Sequence, residues 1–283
     1  MPVFSRNELT PENILKHIVK VHDESYGNHG IPLVSRVFKD VFDLFNGKWP
    51  GYHRCDTQYH DLHHTMQTVP PFLEIISGWN RSGASPKVSE DFFAYGTMAV
   101  LLHDTGYIKE AGDDEGTGAK YTLTHVQRSI DFANVYLRQI GLPVAGVHHV
   151  LNIIRCTGVT IDLNVRFRND EERIVGCALG TADLLGQMSS PDYIDTLPVL
   201  FDEFAESYRF EGVEKLHKKG STLYADADDL IRSTPTFYEK VALKRFKMMG
   251  SMERYIPYHC GEKRNPYMAA IEKNIKTIKR KWE

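Results

Sequence analysis

The sequence has few cysteines, and none of them is spaced as a disulfide or zinc motif. Its 283 residues contain four, with no Cys-x-x-Cys pair among them: Cys55, Cys156, Cys177 and Cys260. Scattered cysteines of this kind are typical of reduced thiols in a cytosol, and they argue against a disulfide framework or a zinc knuckle. We therefore expect a cytoplasmic protein whose fold does not depend on cysteine chemistry.

Long apolar runs and a strong excess of charge are also missing. No stretch approaches the roughly 18 apolar residues that would predict a transmembrane helix. Residues 1–6 lack the cationic start and long apolar core that are typical of a signal peptide. The net charge of -3 at pH 7 gives no sign of a surface that binds a nucleic-acid duplex. We therefore expect neither a membrane nor duplex nucleic acid among the partners.

Strand-like alternation is absent over any long stretch, and apolar residues instead recur at helical spacing, as in residues 33–45. Thr10 and Pro11 are typical of a helix start. With 42% hydrophobic and 25% charged residues, the chain has the composition of a globular protein that can bury a core. The sequence predicts an all-α bundle in a single domain, residues 1–283. Its last helices are expected near residues 226–232, 235–249 and 267–282.

The most informative stretch is residues 99–107, an apolar run that ends in a histidine–aspartate pair. We expect a buried helix over residues 92–102, with Gly106 ending it in a left-handed turn. A carboxylate at the end of a buried helix is unfavourable unless a cation or hydrogen bonds compensate it. A divalent metal would meet this need, because histidine and aspartate are common metal ligands. A capping or surface position is the alternative for His103 and Asp104.

Two further segments carry residues with the same chemistry. His60 and His64 are four residues apart, so they share one face if the segment is helical. They could act as two ligands or as a ligand and an acid, and the alternative is a solvated histidine-rich turn. Asp183 lies in an otherwise apolar helix, where a lone carboxylate needs a metal, a cap or a salt bridge. Gly180 in the same helix is expected to let a neighbouring helix approach closely.

These segments supply possible metal ligands in a definite order along the chain: His64, His103, Asp104 and Asp183. On these residues the chain resembles the HD-domain superfamily of metal-dependent phosphohydrolases. Residues 59–64 read Tyr-His-Asp-x-x-His, which is similar to the Tyr-His-Asn-x-x-His signature of the cyclic-nucleotide phosphodiesterase branch. The resemblance covers about residues 55–190 and leaves a C-terminal helical extension at about residues 191–283.

The resemblance implies an all-helical HD-type bundle in which the four ligands bind one divalent metal ion. The nitrogen and oxygen ligand set is compatible with Mn, Fe, Zn, Ni, Co or Mg. His60 matches the histidine that acts as general acid in the phosphodiesterase branch, and Asp104 is assigned a catalytic as well as a ligating role. His125 matches a histidine that in several HD branches helps to hold a second metal or touches the phosphate.

The sequence departs from the family's patterns at several positions. Asp61 stands where the phosphodiesterases have asparagine, and Thr65 stands where they have alanine. Thr157 occupies a position where many relatives have a further histidine, for which His148 or His149 could substitute. These departures leave open whether the site holds one metal ion or two.

Three further residues are candidates for substrate contacts, although each has a simpler interpretation. Lys109 or Arg128 is expected to hold the phosphate, whereas cationic side chains on loops are usually just solvated. Tyr107 is expected to stack on a base, and the alternative is a role in the core or in a lid. Residues 109–120 are expected to form a flexible acidic loop over the end of the histidine–aspartate helix.

The expected activity is hydrolysis of a phosphoester of a small nucleotide-like substrate by metal-activated water. The ester is either a diester or a monoester. One alternative is a non-catalytic sensor that binds a nucleotide or a metal, and another is a helical protein that uses the metal only as a structural staple. The intact ligand set together with a candidate acid, His60, favours the enzyme. No feature of the sequence fixes the oligomeric state.

Overall fold

The computed structural model describes residues 8–27, 30–158, 166–218 and 223–282. Within these ranges the chain forms helices and no strand, and an isolated backbone bridge joins Tyr52 and Glu110. The predicted all-α class is therefore confirmed. The helices are α1 (Pro11–Tyr26), α2 (Pro32–Phe45), α3 (Leu62–Arg81), α4 (Glu90–Leu102), α5 (His125–Gln139), α6 (Val144–Ile154), α7 (Asp170–Met188), α8 (Tyr193–Glu211), α9 (Val213–Lys218), α10 (Ala227–Phe237), α11 (Leu243–Met248), α12 (Ile256–Cys260) and α13 (Pro266–Trp282).

Helix α7 lies in the middle of the bundle, where it packs against α3, α4 and α6. Its glycines allow this close packing. A Cβ atom at Gly180 would lie 2.4 Å from the carbonyl oxygen of Cys156, and one at Gly186 would lie 2.6 Å from the carbonyl oxygen of Gln67. The predicted close approach at Gly180 is confirmed. Because Gly186 contacts α3 directly, the two helices that carry His64 and Asp183 are held at a short, fixed separation.

The chain that follows α4 differs from the sequence prediction at Gly106. Residues Thr105–Tyr107 form a 3-10 turn, and Gly106 does not adopt a positive φ angle. Its N–H donates to the Ser129 hydroxyl oxygen at 2.8 Å, and a Cβ atom would lie 2.0 Å from the carbonyl oxygen of His125. The prediction of a left-handed turn is therefore wrong, and glycine is needed here because α5 packs directly on the turn.

The C-terminal helices differ from the prediction at Pro235. We expected a break before this residue, but Pro235 lies inside α10, which continues to Phe237. A π-helical turn, Tyr238–Ala242, then connects α10 to α11. Such π-helical turns are rare in proteins, and those that do occur are often found at functional sites.

The C-terminal helices pack on the central ones: α12 lies against α3, α13 against α7 and α10, and α10 against α8. The proposed division into a core at residues 55–190 and an extension at residues 191–283 stays a prediction. None of the helices in the described part of the chain is long and apolar enough to cross a membrane.

Candidate metal centre

The predicted ligands come from three helices that meet inside the bundle. His64 lies in the first turn of α3, His103 and Asp104 directly follow the last residue of α4, and Asp183 lies in the second half of α7. His64, His103 and Asp104 are buried, and Asp183 is partly buried. The Asp61 carboxylate caps α3 by accepting a hydrogen bond from the His64 N–H at 2.9 Å. This cap fixes the start of α3 and therefore the position of the His64 ring.

The ligand atoms of these residues lie close together. Nε2 of His64 is 3.3 Å from Oδ2 of Asp104 and 3.4 Å from Oδ1 of Asp183. Nε2 of His103 is 3.2 Å from the same Asp104 oxygen and 3.8 Å from the same Asp183 oxygen. Metal–ligand bonds of about 2.1 Å place neighbouring ligand atoms roughly 3.0 Å apart in an octahedron and 3.4 Å apart in a tetrahedron. The separations therefore fit a shared metal ion.

The hydrogen-bonding state of His103 and Asp104 provides a separate test of this fit. Nδ1 of His103 donates to the carbonyl oxygen of Val100 at 2.7 Å, so in the neutral ring Nε2 carries a lone pair. Nε2 of His103 and Oδ2 of Asp104 are both buried and have no hydrogen-bond partner. Buried polar atoms are rarely left unpaired. With the ring neutral these are two facing acceptor atoms, which either a proton on Nε2 or a bound metal ion would satisfy.

The charges of the site also favour a cation. Burial alone would raise the pKa of Asp183, but His103 and His64 hold the pKa of this carboxyl well below its usual range. Burial likewise would lower the pKa of His103, but Asp104 and Asp183 raise it well above its usual value. The carboxylates are therefore ionised, and they require positive charge at this place. Either a proton on an imidazole or a metal ion can supply that charge.

His60 lies next to this cluster and is held by a residue that the sequence did not single out. Nδ1 of His60 donates to Oε2 of Glu203 at 2.6 Å. Oε1 of Glu203 accepts from the backbone N–H groups of Gln58 and Tyr59 at 2.8 and 2.7 Å. Burial acts to lower the pKa of His60, but the Glu203 carboxylate outweighs it and raises the pKa above 6.5. Glu203 thus fixes both the ring and the backbone of His60. The other ring nitrogen, Nε2, lies on the edge of the ring that faces away from Glu203.

One signal for Glu203 is present in the sequence. It shares the buried face of α8 with Leu197, Leu200 and Ser207, which recur at three- and four-residue spacing. A glutamate on an apolar helix face requires a partner, as Asp183 does. The partner could not be identified from sequence because His60 is 143 residues away.

Tyr107 and His125 form a stack beside His60. The Tyr107 ring stacks on His60 with a centroid separation of 4.4 Å and on His125 with 4.6 Å. Nδ1 of His125 donates to the carbonyl oxygen of Thr122 at 2.6 Å, and its Nε2 is 3.8 Å from Oδ1 of Asp104. His125 therefore lies beside the cluster. It faces Oδ1 of Asp104, whereas His64 and His103 face Oδ2. The second metal or phosphate contact at His125 and the base contact at Tyr107 stay predictions.

The two candidate phosphate-binding cations are engaged by other groups of the protein. Nζ of Lys109 lies 3.0 Å from Oδ2 of Asp56 and 2.5 Å from the carbonyl oxygen of Gly116, to which it donates. Nε of Arg128 donates to the carbonyl oxygen of Gly106 at 2.7 Å. The predicted phosphate contacts of Lys109 and Arg128 stay predictions, and they would require these bonds to open.

The acidic loop expected over residues 109–120 is tied to the rest of the protein. The N–H and hydroxyl groups of Thr117 both donate to the Glu206 carboxylate, at 2.5 and 2.7 Å. Lys120 pairs with Asp113 inside the loop. The bonds to Glu206 anchor the loop to α8.

Among the described residues, one group of histidine and carboxylate side chains could hold a metal ion: His64, His103 and Asp183, whose ligand atoms all lie within 4.8 Å of one another. The structure thus has an all-helical fold with a buried cluster able to hold a metal ion, and this combination is compatible with an HD-type fold. Comparison with protein-family models and with curated protein sequences gave no match.

Proposed function

We propose that this protein is a metal-dependent phosphohydrolase of the HD type that cleaves a phosphoester of a small, nucleotide-like substrate. The observation that carries the proposal is the convergence of Nε2 of His64, Nε2 of His103, Oδ2 of Asp104 and Oδ1 of Asp183 at separations of 3.2 to 3.8 Å. A structural staple would need the same ligands, but it would not need a partly buried, carboxylate-held histidine beside them.

The residues of the chain divide into two roles. His64, His103, Asp104 and Asp183 would hold the metal ion. When bound, such an ion polarises a phosphoryl oxygen and activates water for attack on phosphorus. His60 is placed to donate a proton from Nε2 to the leaving oxygen, because its Nδ1 is committed to Glu203 and its raised pKa keeps a proton available near neutral pH.

The phosphodiesterase-like motif is compatible with this local structure. Asp61 occupies the position of the motif's asparagine and caps α3 through the His64 N–H. Aspartate and asparagine are comparable helix caps. The departure from the motif therefore leaves the orientation of His64 intact.

The experiment is to measure hydrolysis of p-nitrophenyl phosphate and bis(p-nitrophenyl) phosphate with Mn²⁺, Mg²⁺, Fe²⁺ or Zn²⁺. We expect turnover that depends on the metal and is lost in His64→Ala. His53→Ala is the matched control, since the His53 side chain is 38% exposed and its nearest carboxylate is Asp114 at 3.5 Å. Full turnover in His64→Ala would contradict the proposal. Metal and nucleotide binding without turnover in the wild type would instead favour the non-catalytic sensor.

A further inference from the structure

Arg245 is a buried arginine with little local compensation for its charge. The residue is 7% exposed, and its Nη2 donates to the carbonyl oxygen of Cys156 at 2.8 Å. Among the described residues, no carboxylate oxygen lies within 4.0 Å of the guanidinium. A buried charge without a counter-ion is unfavourable. The site is therefore suited to an anion that the described residues do not supply.

The position of Arg245 relates it to the candidate metal centre. The Cys156 carbonyl oxygen that accepts its hydrogen bond lies against Gly180, and Met249, one turn after Arg245, also packs there. Gly180 precedes Asp183 by three residues, so the two lie on one face of α7, roughly 4.5 Å apart along the helix axis. Arg245 thus approaches α7 within one helical turn of a candidate metal ligand.

The other groups around Arg245 do not neutralise it. Burial raises the pKa of both neighbouring thiols, that of Cys177 to about 11, so Cys156 and Cys177 are uncharged near neutral pH. Burial lowers the pKa of Arg245 itself, and Asp183 is the main group that opposes this. The charge that most stabilises Arg245 is therefore that of Asp183, which a metal ion would also use.

The backbone before Arg245 is unusual as well. The π-helical turn Tyr238–Ala242 ends directly before α11. A π turn shifts every following side chain around the helix axis relative to an uninterrupted α-helix. The direction in which Arg245 enters the bundle therefore depends on this turn.

We propose that Arg245 binds the phosphate group of the substrate, and that the substrate of this site is a phosphomonoester. The inference rests on the proposed function and names the substrate class for the same site. A divalent ion and the carboxylates of Asp104 and Asp183 sum to zero charge, so Arg245 leaves the site with one net positive charge. A monoester carries about two negative charges near neutral pH and a diester carries one, so the monoester gains more. The guanidinium also matches phosphate oxygens in a bidentate geometry.

A purely structural role for Arg245 makes a different prediction. The carbonyl of Cys156 lies just beyond the C-terminal end of α6, where a cation stabilises the helix by capping and through its dipole. If Arg245 does no more than this, its replacement lowers the stability of the fold and leaves phosphate affinity unchanged.

The test compares Arg245→Met, Arg245→Lys and the control Arg232→Met in the metal-loaded full chain. Arg232 lies on the neighbouring helix α10, and its side chain is 51% exposed. Calorimetry measures the affinity for inorganic phosphate, and steady-state kinetics measure kcat and KM for the monoester and diester nitrophenyl substrates. We expect Arg245→Met to weaken phosphate binding about 10- to 100-fold and to raise KM for the monoester more than for the diester. Arg245→Lys should retain part of the affinity, and Arg232→Met all of it.

Wild-type phosphate affinity in both Arg245 variants would overturn the inference. Phosphate binding that depends on Arg245, without turnover of either ester, would contradict the proposed function and leave the anion site standing. If Arg245→Met does not fold, wild-type crystals soaked in phosphate decide the question. Density within hydrogen-bond distance of the guanidinium supports the inference, and its absence there overturns it.

Discussion

Helix α7 carries one carboxylate near each end that is buried or partly buried, Glu172 and Asp183, and the two differ in their hydrogen-bond partners. Near the C-terminal end, Asp183 faces His64 and His103. Near the N-terminal end, Glu172 accepts hydrogen bonds from Nδ1 of His149 and from the side-chain amide of Asn152, both at 2.6 Å. Both clusters combine histidine with a carboxylate, but only one of them has the properties of a ligand site.

The difference lies in which atoms have partners. Each carboxylate oxygen of Glu172 accepts from a side-chain donor, and no atom of that cluster is buried without a hydrogen bond. In the Asp183 cluster, Nε2 of His103 and Oδ2 of Asp104 are buried and unpaired. A fully paired network rigidifies a core, whereas acceptor atoms that face each other without a hydrogen bond require a proton or a metal ion between them. The count of unpaired atoms therefore separates a structural cluster from a candidate metal centre.

The largest expected effect is on metal affinity. Asp183→Asn removes a charged ligand, so we expect the affinity for Mn²⁺ or Zn²⁺ to fall more than about 100-fold, beyond the loss typical of a residue that only supports a ligand. Glu172→Gln, at the other end of α7, should bind the metal like the wild type. Titration calorimetry of both variants measures this, and equal losses in the two would remove the distinction between the clusters.

A third buried carboxyl sharpens the comparison because it has no histidine partner. Glu74 in α3 is 2% exposed, and burial raises its pKa from 4.5 to about 7, although a hydrogen bond from Tyr267 opposes this. Because the pKa of this carboxyl is raised in the folded state, the stabilisation that Glu74 contributes is fully present below pH 4.5. It is lost as the pH rises through 7, where the folded protein also loses the proton. Relative to the wild type, Glu74→Gln should therefore gain about 3 kcal/mol of unfolding free energy between pH 4.5 and pH 8. Urea unfolding at several pH values measures this gain, and a pH-independent difference would contradict it.

The next effect concerns the positioning of His60. Glu203→Gln keeps the size of the side chain but removes the negative charge that orients the His60 ring. We expect kcat to fall about 10- to 100-fold while KM and metal affinity stay near their wild-type values. A parallel loss of metal affinity would show that Glu203 supports the ligand set instead. Asp202→Asn is the matched control, because Asp202 is an exposed carboxylate on the same helix, α8.

The smallest effect tests the structural cluster. Glu172→Met leaves the donors of His149 and Asn152 unpaired, so we expect a loss of about 1–2 kcal/mol in the free energy of unfolding. Metal-dependent turnover should not change once the variant is folded. Denaturant melts and activity measured on the same sample check both parts, and a loss of turnover with full stability would contradict the structural assignment.

The sequence predicted those features that depend on local context. The helical class followed from apolar spacing, and the start of α1 at Pro11 followed from Thr10, whose hydroxyl accepts from the Asn13 N–H. His64 was identified from its four-residue spacing to His60 and from the resemblance to HD-domain proteins, and Asp183 was identified because a carboxylate in an apolar helix needs a partner. The structure brings both residues together with His103.

Other features depend on tertiary packing and could not be read from local patterns. Glu203 and Arg245 are charged residues on helices, and such residues are usually solvated. The apolar spacing of α8 indicates that Glu203 is buried but not that His60 is its partner. Only the contacts of Arg245 with Cys156 and of Met249 with Gly180 show that Arg245 is buried. Gly106 was assigned to a left-handed turn because sequence cannot distinguish that need from a close contact with another helix, which here is α5.

The most direct test of the central claim is anomalous scattering from crystals grown with Mn²⁺ or Zn²⁺. The account predicts a peak about 2.1 Å from Nε2 of both His64 and His103 and close to a carboxylate oxygen of Asp183. A structure with no peak at these atoms, or with a peak only at Glu172 and His149, would contradict it.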